Sequence, residues 1–390
     1  MRNSQTGVLR CVMMVVLVIM TAFLASCSGE RSTSATAVTS MYAGGMSDQG
    51  FVQVIDETVW YYDLKSGNSA ALLCQNKSAC KDNPYYKYDT DGYQIAATTI
   101  YKDSLYTFVT TSVNETALYR MKPQVDGRET IASIPWQIAS GNVLIQNGKA
   151  YFSGVQYIVD ENGAAGSDNQ ILTIICVDLD TGKVSELGEK HHYEGGSSID
   201  SISVAENKLR YRYVYAEMTD EQREALINGQ LKFEESVHLL KAQFYEIELP
   251  TGESKMILEG KDYPGISMEG DESYAYFINE QQTKVFRISF EDFGQTELFE
   301  GEKINALNNG LLPGAGLFFS QGFTNEMKYY YDFNKNKVIE IDLQDTSFPI
   351  LAFNNWLAVG KMIDGQYQQV YMTIEDYAAG NNQYISMKRS

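Results

Sequence analysis

Histidine and basic residues are scarce in this chain. Three histidines, at 191, 192 and 238, stand among 390 residues, and 31 Lys and Arg face 50 Asp and Glu. An acidic balance of this size repels nucleic acid, whose phosphates need Lys and Arg. It also repels anionic lipid, so any attachment to a membrane needs something other than surface charge. No Gly-x-Ser-x-Gly elbow occurs. Gly195-Gly-Ser-Ser and Gly316-Leu-Phe-Phe-Ser-Gln-Gly both lack that spacing. The longest apolar run, Cys11 to Phe23, is interrupted only by Thr21. It is too short to cross a hydrocarbon core comfortably, which takes about 20 residues. Long helical patterns are also few.

Tyrosine, by contrast, is abundant, with 27 residues. Tyr, Ile, Val and Thr favour half-buried pleated surfaces, so the composition reads as all-β. A short pattern recurs along the chain, an aromatic or aliphatic strand that often carries Asp and then turns. It appears as Tyr61-Tyr62-Asp63-Leu64, Leu118-Tyr119-Arg120-Met121, Cys176-Val177-Asp178-Leu179 and Glu246-Ile247-Glu248-Leu249. It returns as Arg287-Ile288-Ser289-Phe290, Tyr330-Tyr331-Asp332-Phe333 and Tyr371-Met372-Thr373-Ile374. The closing residues are separated by 57, 58, 70, 41, 43 and 41 positions.

A second strand precedes each copy, from Phe51–Ile55 to Trp356–Lys361, often after a turn signal such as Asn-Gly-Lys. Seven meanders of about 40 residues predict an all-β, seven-bladed β-propeller over 41–390. Two sandwiches in tandem, or a ring of six or eight blades, are the alternatives. One small sheet cannot cover both of its faces, and ringed neighbours cover them for one another. No linker interrupts the repeat, so one domain is expected.

The long gaps place the insertions. Blade strands are named A to D from the axis outward. Residues 216–241 fall between B and C of the fourth blade, and Thr219 and Gln222 form a capping box for a short helix near 219–240. Residues 156–170 read as a Gly/Asn/Asp-rich B–C loop, and 74–92 as a D–A loop. His191-His192 reads as another D–A loop. B–C and D–A loops open on one face, where function tends to collect.

The N-terminal residues carry Arg2 and Arg10 and no acid, and Leu24-Ala25-Ser26-Cys27 follows the apolar run. Length and flanks are those of a signal-peptide core, and the four residues match the lipobox of bacterial lipoproteins. The match implies a signal peptide over 1–26, cleavage before Cys27 and diacylglycerol on its thiol. An ordinary cleaved signal or a short anchor helix are the other readings. Residues 27–40 then form a small-residue, flexible tether. Losing 1–26 leaves 29 basic against 50 acidic residues.

Outside the cytoplasm, Cys74 and Cys80 are expected to bond to each other. A loop of that length contributes roughly 2–2.5 kcal/mol in the chain-entropy model. Two thiols alone do not close a zinc shell. Cys176, in Ile-Leu-Thr-Ile-Ile-Cys-Val, reads as a buried thiol. Asp89-Thr-Asp91-Gly92, Asp160-Glu-Asn162-Gly163 and Asp178-Leu-Asp180-Thr-Gly182 offer alternating carboxylates. None completes a calcium loop, and turn chemistry accounts for all three. No metal or cofactor is expected.

Three features carry a family resemblance: the lipobox with its tether, Leu72-Leu73-Cys74 opening a short cysteine loop, and Ile374-Glu375-Asp376-Tyr377-Ala378-Ala379-Gly380-Asn381 near the end. In these the chain resembles lipoproteins of Gram-positive, clostridia-like bacteria expected to fold as propellers related to TolB-like repeats. There the last segment looks like a Glu-Asp-Tyr hairpin. The family's cysteine loop usually carries a histidine and a third cysteine, where this chain has Lys81-Asp82-Asn83 and Tyr85-Tyr86.

The resemblance implies a membrane-anchored propeller on the extracytoplasmic side and brings no activity with it. A non-enzymatic module is therefore expected, binding a protein, peptide or glycan on its loop-rich face. Candidate contacts are Tyr85, Tyr86, Tyr88, His191 and His192. The tyrosines also suit the start of the next inner strand, and the histidines an exposed polar loop. An extracytoplasmic hydrolase or lyase with a site in the channel, or a structural part of an envelope complex, are the alternatives.

Overall fold

In the computed structural model, the described residues are 36–40, 44–47, 49–55, 58–64, 69–74, 94–121, 128–159, 165–192, 197–227, 239–260, 266–304, 310–312, 314–322, 328–341, 346–353, 355–381 and 383–386. They form seven four-stranded antiparallel meanders arranged as a seven-bladed β-propeller. The strands that open the blades, each strand A, are Gly44–Ser47, Gln94–Tyr101, Gln137–Gln146, Ser198–Ala205, Ile266–Gly270, Leu311–Leu312 and Thr346–Phe353. All seven expected second strands and all seven recurring motifs fall on strands B and C of successive blades.

The recurring Asp has a local cause. Asp178 Oδ1 accepts from the backbone N–H of Asp180 and Thr181, and Asp332 Oδ1 from those of Asn334 and Lys335. Each carboxylate closes the C–D turn that follows it. A–B turns use left-handed backbone: Asn147 and Gly148 have φ of 52° and 75°, the pattern of a type I′ hairpin.

Seven apolar clusters match the seven blade-to-blade interfaces. Phe108 and Phe152 meet between blades 2 and 3 at 5.6 Å. Tyr151 and Tyr211 share the cluster of blades 3 and 4, and Phe244 and Phe277 that of blades 4 and 5. Phe299 and Phe319 stack between blades 5 and 6 at 4.5 Å. Phe318 and Tyr377 join blades 6 and 7, and Val52 and Leu105 join blades 1 and 2. Met46, Phe51, Tyr62, Ala358 and Tyr371 close the ring between blades 1 and 7. Each fully buried aromatic or aliphatic side chain is worth about 1.5–3 kcal/mol, so every interface is a hydrophobic core of its own.

Tyrosine suits these interfaces because its ring fills the core while its hydroxyl reaches a partner at the rim. Tyr276 donates to Asp271 at 2.7 Å, and Tyr101 accepts from Gly148 N–H at 2.9 Å.

Four segments depart from simple expectation. The segment 156–170 is not a loop throughout. Strands B and C of blade 3 run long, Lys149–Val159 and Ala165–Asp178, and pair out to Val159↔Ala165. Second, the ladder begins inside the expected tether, because Thr36–Ser40 is already a strand.

Third, Gly44 and Gly45 lie within the inner strand of blade 1, although glycine ordinarily weakens a strand interior. Gly45 lies so close to strand A of blade 2 that a Cβ would come within 2.4 Å of Thr98 O and Thr99 Cβ. Glycine is what lets two inner strands approach near the axis. Fourth, Glu375-Asp376-Tyr377 is a helical turn rather than a hairpin. Thr373 caps Ile374–Ala378 by accepting from Asp376 N–H at 3.0 Å.

Candidate functional site

Each blade runs A, B, C, D outward, so B–C and D–A connections share one face and A–B and C–D turns share the other. On the B–C face of blade 2, strand B (Ser104–Ser112) turns into strand C (Glu115–Met121) through Val113-Asn114. Asn114 Nδ2 donates to Tyr157 O and Asn114 Oδ1 accepts from Tyr157 N–H, both at 2.8 Å. Gln137 Nε2, in strand A of blade 3, donates to Ser112 O at 2.9 Å. The long hairpin of blade 3 is thereby locked to the turn of blade 2.

Aliphatic side chains stand at these tips. Val113 is 49% exposed, Ile158 39% and Val159 48%. Leu240, where blade 4 resumes after its insertion, and Met362, beside the B–C turn of blade 7, are also exposed. Five of the seven exposed large hydrophobic residues among those described therefore lie at the B–C end. Single exposed aliphatics are ordinary; here most of those among the described residues are gathered on one face.

The helix of the blade 4 insertion spans Asp220–Ile227. Its capping box is formed as expected: Thr219 Oγ1 accepts from Gln222 N–H at 3.3 Å, and Gln222 Oε1 accepts from Thr219 N–H at 2.9 Å.

The histidine pair does not sit in a loop. His191 and His192 end strand D of blade 3 (Val184–His192), paired with Leu172 and Ile171. Their side chains take opposite sides. His192 is exposed, whereas His191 is buried. The His191 ring stacks on Tyr213 at 4.0 Å, meets Tyr245 edge-on at 5.1 Å, and its Nε2 lies 3.1 Å from the Tyr211 hydroxyl. Burial pushes this imidazole down to about 4. His191 is thus a neutral member of the blade 3–4 core, away from any ligand on the surface.

Cys74 ends strand D of blade 1 (Ser69–Cys74). Cys27, Cys80, Tyr85, Tyr86, Tyr88 and His238 lie outside the described residues, as do Asp89–Gly92 and Asp160–Gly163. Cys176 is a buried free thiol, pushed up to about 11 by burial. Among the described residues, no three His, Cys, Asp or Glu side chains gather where a metal ion would sit.

On the opposite face, Glu246 is buried beneath three cations. Burial alone would raise it. Lys208 at 2.9 Å, Arg210 at 2.7 Å and Lys255 at 3.0 Å outweigh that and hold it at about 2. Arg210 also donates to Glu272 O and lies over the Phe290 ring, tying blade 4 to blade 5.

The axis is not left open along the whole ring. Thr36–Ser40 pairs on one side with strand A of blade 1 (Ala37↔Ser47 to Ser40↔Gly44) and on the other with strand A of blade 3 (Thr36↔Gln146 to Thr39↔Val143). It also lies against strand A of blade 2. Inner strands otherwise present unpaired backbone to the channel. This strand satisfies two of those edges and takes up space where a channel substrate would sit.

The sequence signals that reading by motif missed are small ones. An apolar residue at a hairpin tip, Val113, with an amide after it, Asn114, is the trace of this face.

No family model matches the chain, and no curated protein matches it. Among solved structures, a puromycin-hydrolyzing peptidase of Mycobacterium tuberculosis is similar at 10% identity and TM-score 0.49, over 86% of this chain and 53% of that one. An acylaminoacyl peptidase of Pyrococcus horikoshii is similar at 12% identity and TM-score 0.42, over 74% and 45%. The Synechocystis apocarotenoid oxygenase is similar at 11% identity and TM-score 0.36, over 86% and 68%. The chain spans about half the length of the two peptidases.

Proposed function

We propose that this protein is a lipoprotein held by acylated Cys27 on the extracytoplasmic side of a membrane, and that its propeller binds a protein or peptide through the B–C face. One observation carries the binding reading: exposed aliphatic side chains collect at the B–C end, on tips held rigid by the Asn114–Tyr157 clamp. Rigid apolar tips lose little entropy on binding and suit the apolar side chains of a polypeptide better than a glycan.

The axial strand Thr36–Ser40 weighs against a channel enzyme. The peptidase activities belong to the similar proteins at those low scores. The anchor rests on the Leu24-Ala25-Ser26-Cys27 pattern and the run before it.

The test is affinity capture from envelope extract on the mature domain, with V113D/V159D as its partner bait. A polypeptide retained by the native domain and lost from the variant supports the reading. Glycan-array binding without a polypeptide, turnover of hydrolase or lyase substrates, or retention by both baits overturns it. Acylation is read separately, by the mass of the N-terminal peptide and by sedimentation of Cys27→Ala.

A further inference from the structure

Thr36–Ser40 belongs to no blade. It pairs antiparallel with Val143–Gln146 in strand A of blade 3 on one side, and with Gly44–Ser47, strand A of blade 1, on the other. Those blades are not neighbours, so the short strand bridges them across blade 2, whose strand A it also touches. A strand paired on both edges aims successive N–H and C=O groups to alternate sides, so its main chain is used throughout. Its side chains offer little, since only Ala37 and Val38 of Thr36-Ala37-Val38-Thr39-Ser40 are apolar. Main-chain pairing therefore holds it, and such pairing is indifferent to sequence.

We infer that the axial gap between strand A of blade 1 and strand A of blade 3 is a strand-accepting site. The chain fills it with its own segment, and when that segment withdraws the gap takes an extended polypeptide of small and β-branched residues. Both walls are built without the segment. Gly45 and Met46 pair with Val52 and Phe51 of their own blade, and Val143–Gln146 pairs with Lys149–Phe152 of its own. Withdrawal therefore leaves two fixed strand edges facing one another, each with N–H and C=O groups aimed into the gap. Edges of this kind are what extended chains add to. Gly45 and Gly44 stand opposite Thr39 and Ser40, and Thr98 and Thr99 of blade 2 fill the space that a Cβ at Gly45 would take. Backbones crowd at that end, which suits the small residues of the resident strand.

The resident strand is covalently attached, so its effective concentration at the gap is in the millimolar range or above. An outside peptide enters only when that strand is weakened or outmatched. The site uses none of the aliphatic tips on the B–C face, and either can fail without the other.

The experiment places Val38→Pro in the whole chain, which removes an N–H from the middle of the resident strand. The probe is a dye-labelled synthetic peptide of the sequence Ala35 to Met41. It should bind the variant one-to-one, and the native chain on the order of ten-fold or more weakly, because there the attached strand competes. The same peptide with proline in place of Val38 should bind the variant on the order of ten-fold less tightly than the unmodified peptide, having lost a donor and orphaned its acceptor. Hydrogen exchange over Val143–Gln146 should be faster in the variant than in the native chain and slow again when peptide is added. Equal binding to variant and native chain overturns the site. So does a proline peptide that binds as well as the unmodified one, or a variant with fast exchange over Val143–Gln146 that binds no peptide. Exchange over Val143–Gln146 unchanged by Val38→Pro overturns it too. If the variant does not fold, the native sequence with a protease site inserted between Tyr42 and Ala43 is cut after folding. Replacement of the freed segment by the labelled peptide, but not by its proline form, supports the site. A segment that never exchanges, or a vacated gap that takes no peptide, overturns it.

Discussion

Asn114 and Tyr157 form a two-bond ring across the seam between blades 2 and 3: the amide donates to the Tyr157 carbonyl and accepts from its N–H, each at 2.8 Å. The contact joins residues 43 positions apart and fixes the hairpin that carries Ile158 and Val159. Asn114→Ala should cost about 1–2 kcal/mol, since two backbone groups lose their partner near the surface. Hydrogen exchange at Tyr157 N–H should rise well above that of the strand body. Capture of the polypeptide partner should weaken more than the small stability loss explains. Unchanged exchange at Tyr157 would sink the clamp.

Gly45→Val tests the close approach at the axis. A Cβ at position 45 would meet backbone at Thr98 O and a fixed Thr99 Cβ, both at 2.4 Å, and neither yields by a rotamer change. Overpacking of this kind costs typically 1–3 kcal/mol, occasionally more. A chemical-denaturation midpoint lowered accordingly, with an unchanged slope, is the expected outcome. A midpoint equal to that of the native protein would mean that the inner strands are further apart than described.

The blade count was legible because each copy ends strand C with an Asp-bearing or apolar motif whose turn chemistry is local. Asp178 and Asp332 make their hydrogen bonds within three residues. Similarly local is the Thr219–Gln222 cap. What the sequence could not show depends on distant backbone. The inner strand Gly44–Ser47 looks weak until blade 2 is beside it. The pairing of Thr36–Ser40 with blade 3 joins segments about a hundred residues apart. His191 and His192 looked alike in a polar stretch, and only the tyrosines of blade 4 make one a core residue. The aliphatic tips carry no motif and become a surface only when four blades align them.

His191 gives the fold a pH dependence. In the unfolded chain its imidazole titrates near 6.5, and in the folded protein, pressed among Tyr211, Tyr213 and Tyr245, near 4. Above 6.5 both states are neutral there. Between the two values protons bind the unfolded chain preferentially, so stability is lost as pH falls from 6.5 to about 4 and the loss then levels off. A shift of this size amounts to about 3 kcal/mol. His191→Phe keeps a ring against Tyr213 and removes the titration. Its unfolding free energy should fall less than that of the native protein across pH 6.5 to 4. Parallel pH profiles for the two proteins would contradict a buried neutral His191.

Closure of the ring makes the last prediction. Blade 7 takes all four strands from the C-terminal part of the chain and blade 1 all four from the N-terminal part, so no strand is exchanged between the ends. They are joined by side chains: Phe51 meets Tyr371 edge-on at 5.7 Å, both almost wholly buried, and Ile385 packs against the same cluster. Deleting 384–390 removes Ile385 and the outer strand Ile385–Ser386, which pairs with Tyr371 and Val370. The inner contact of Phe51 with Tyr371 would remain. The truncated protein should therefore melt at lower temperature but still in one transition, because the remaining cluster continues to couple the two ends. Phe51→Ala strikes the joint itself and should cost about 3–5 kcal/mol, more than the truncation. Tyr371→Phe, which keeps the ring, should stay within about 1 kcal/mol of native. Calorimetry of the three proteins separates the cases. Two resolved transitions in the truncated protein, or a Phe51→Ala variant as stable as Tyr371→Phe, would show that the ends do not hold each other.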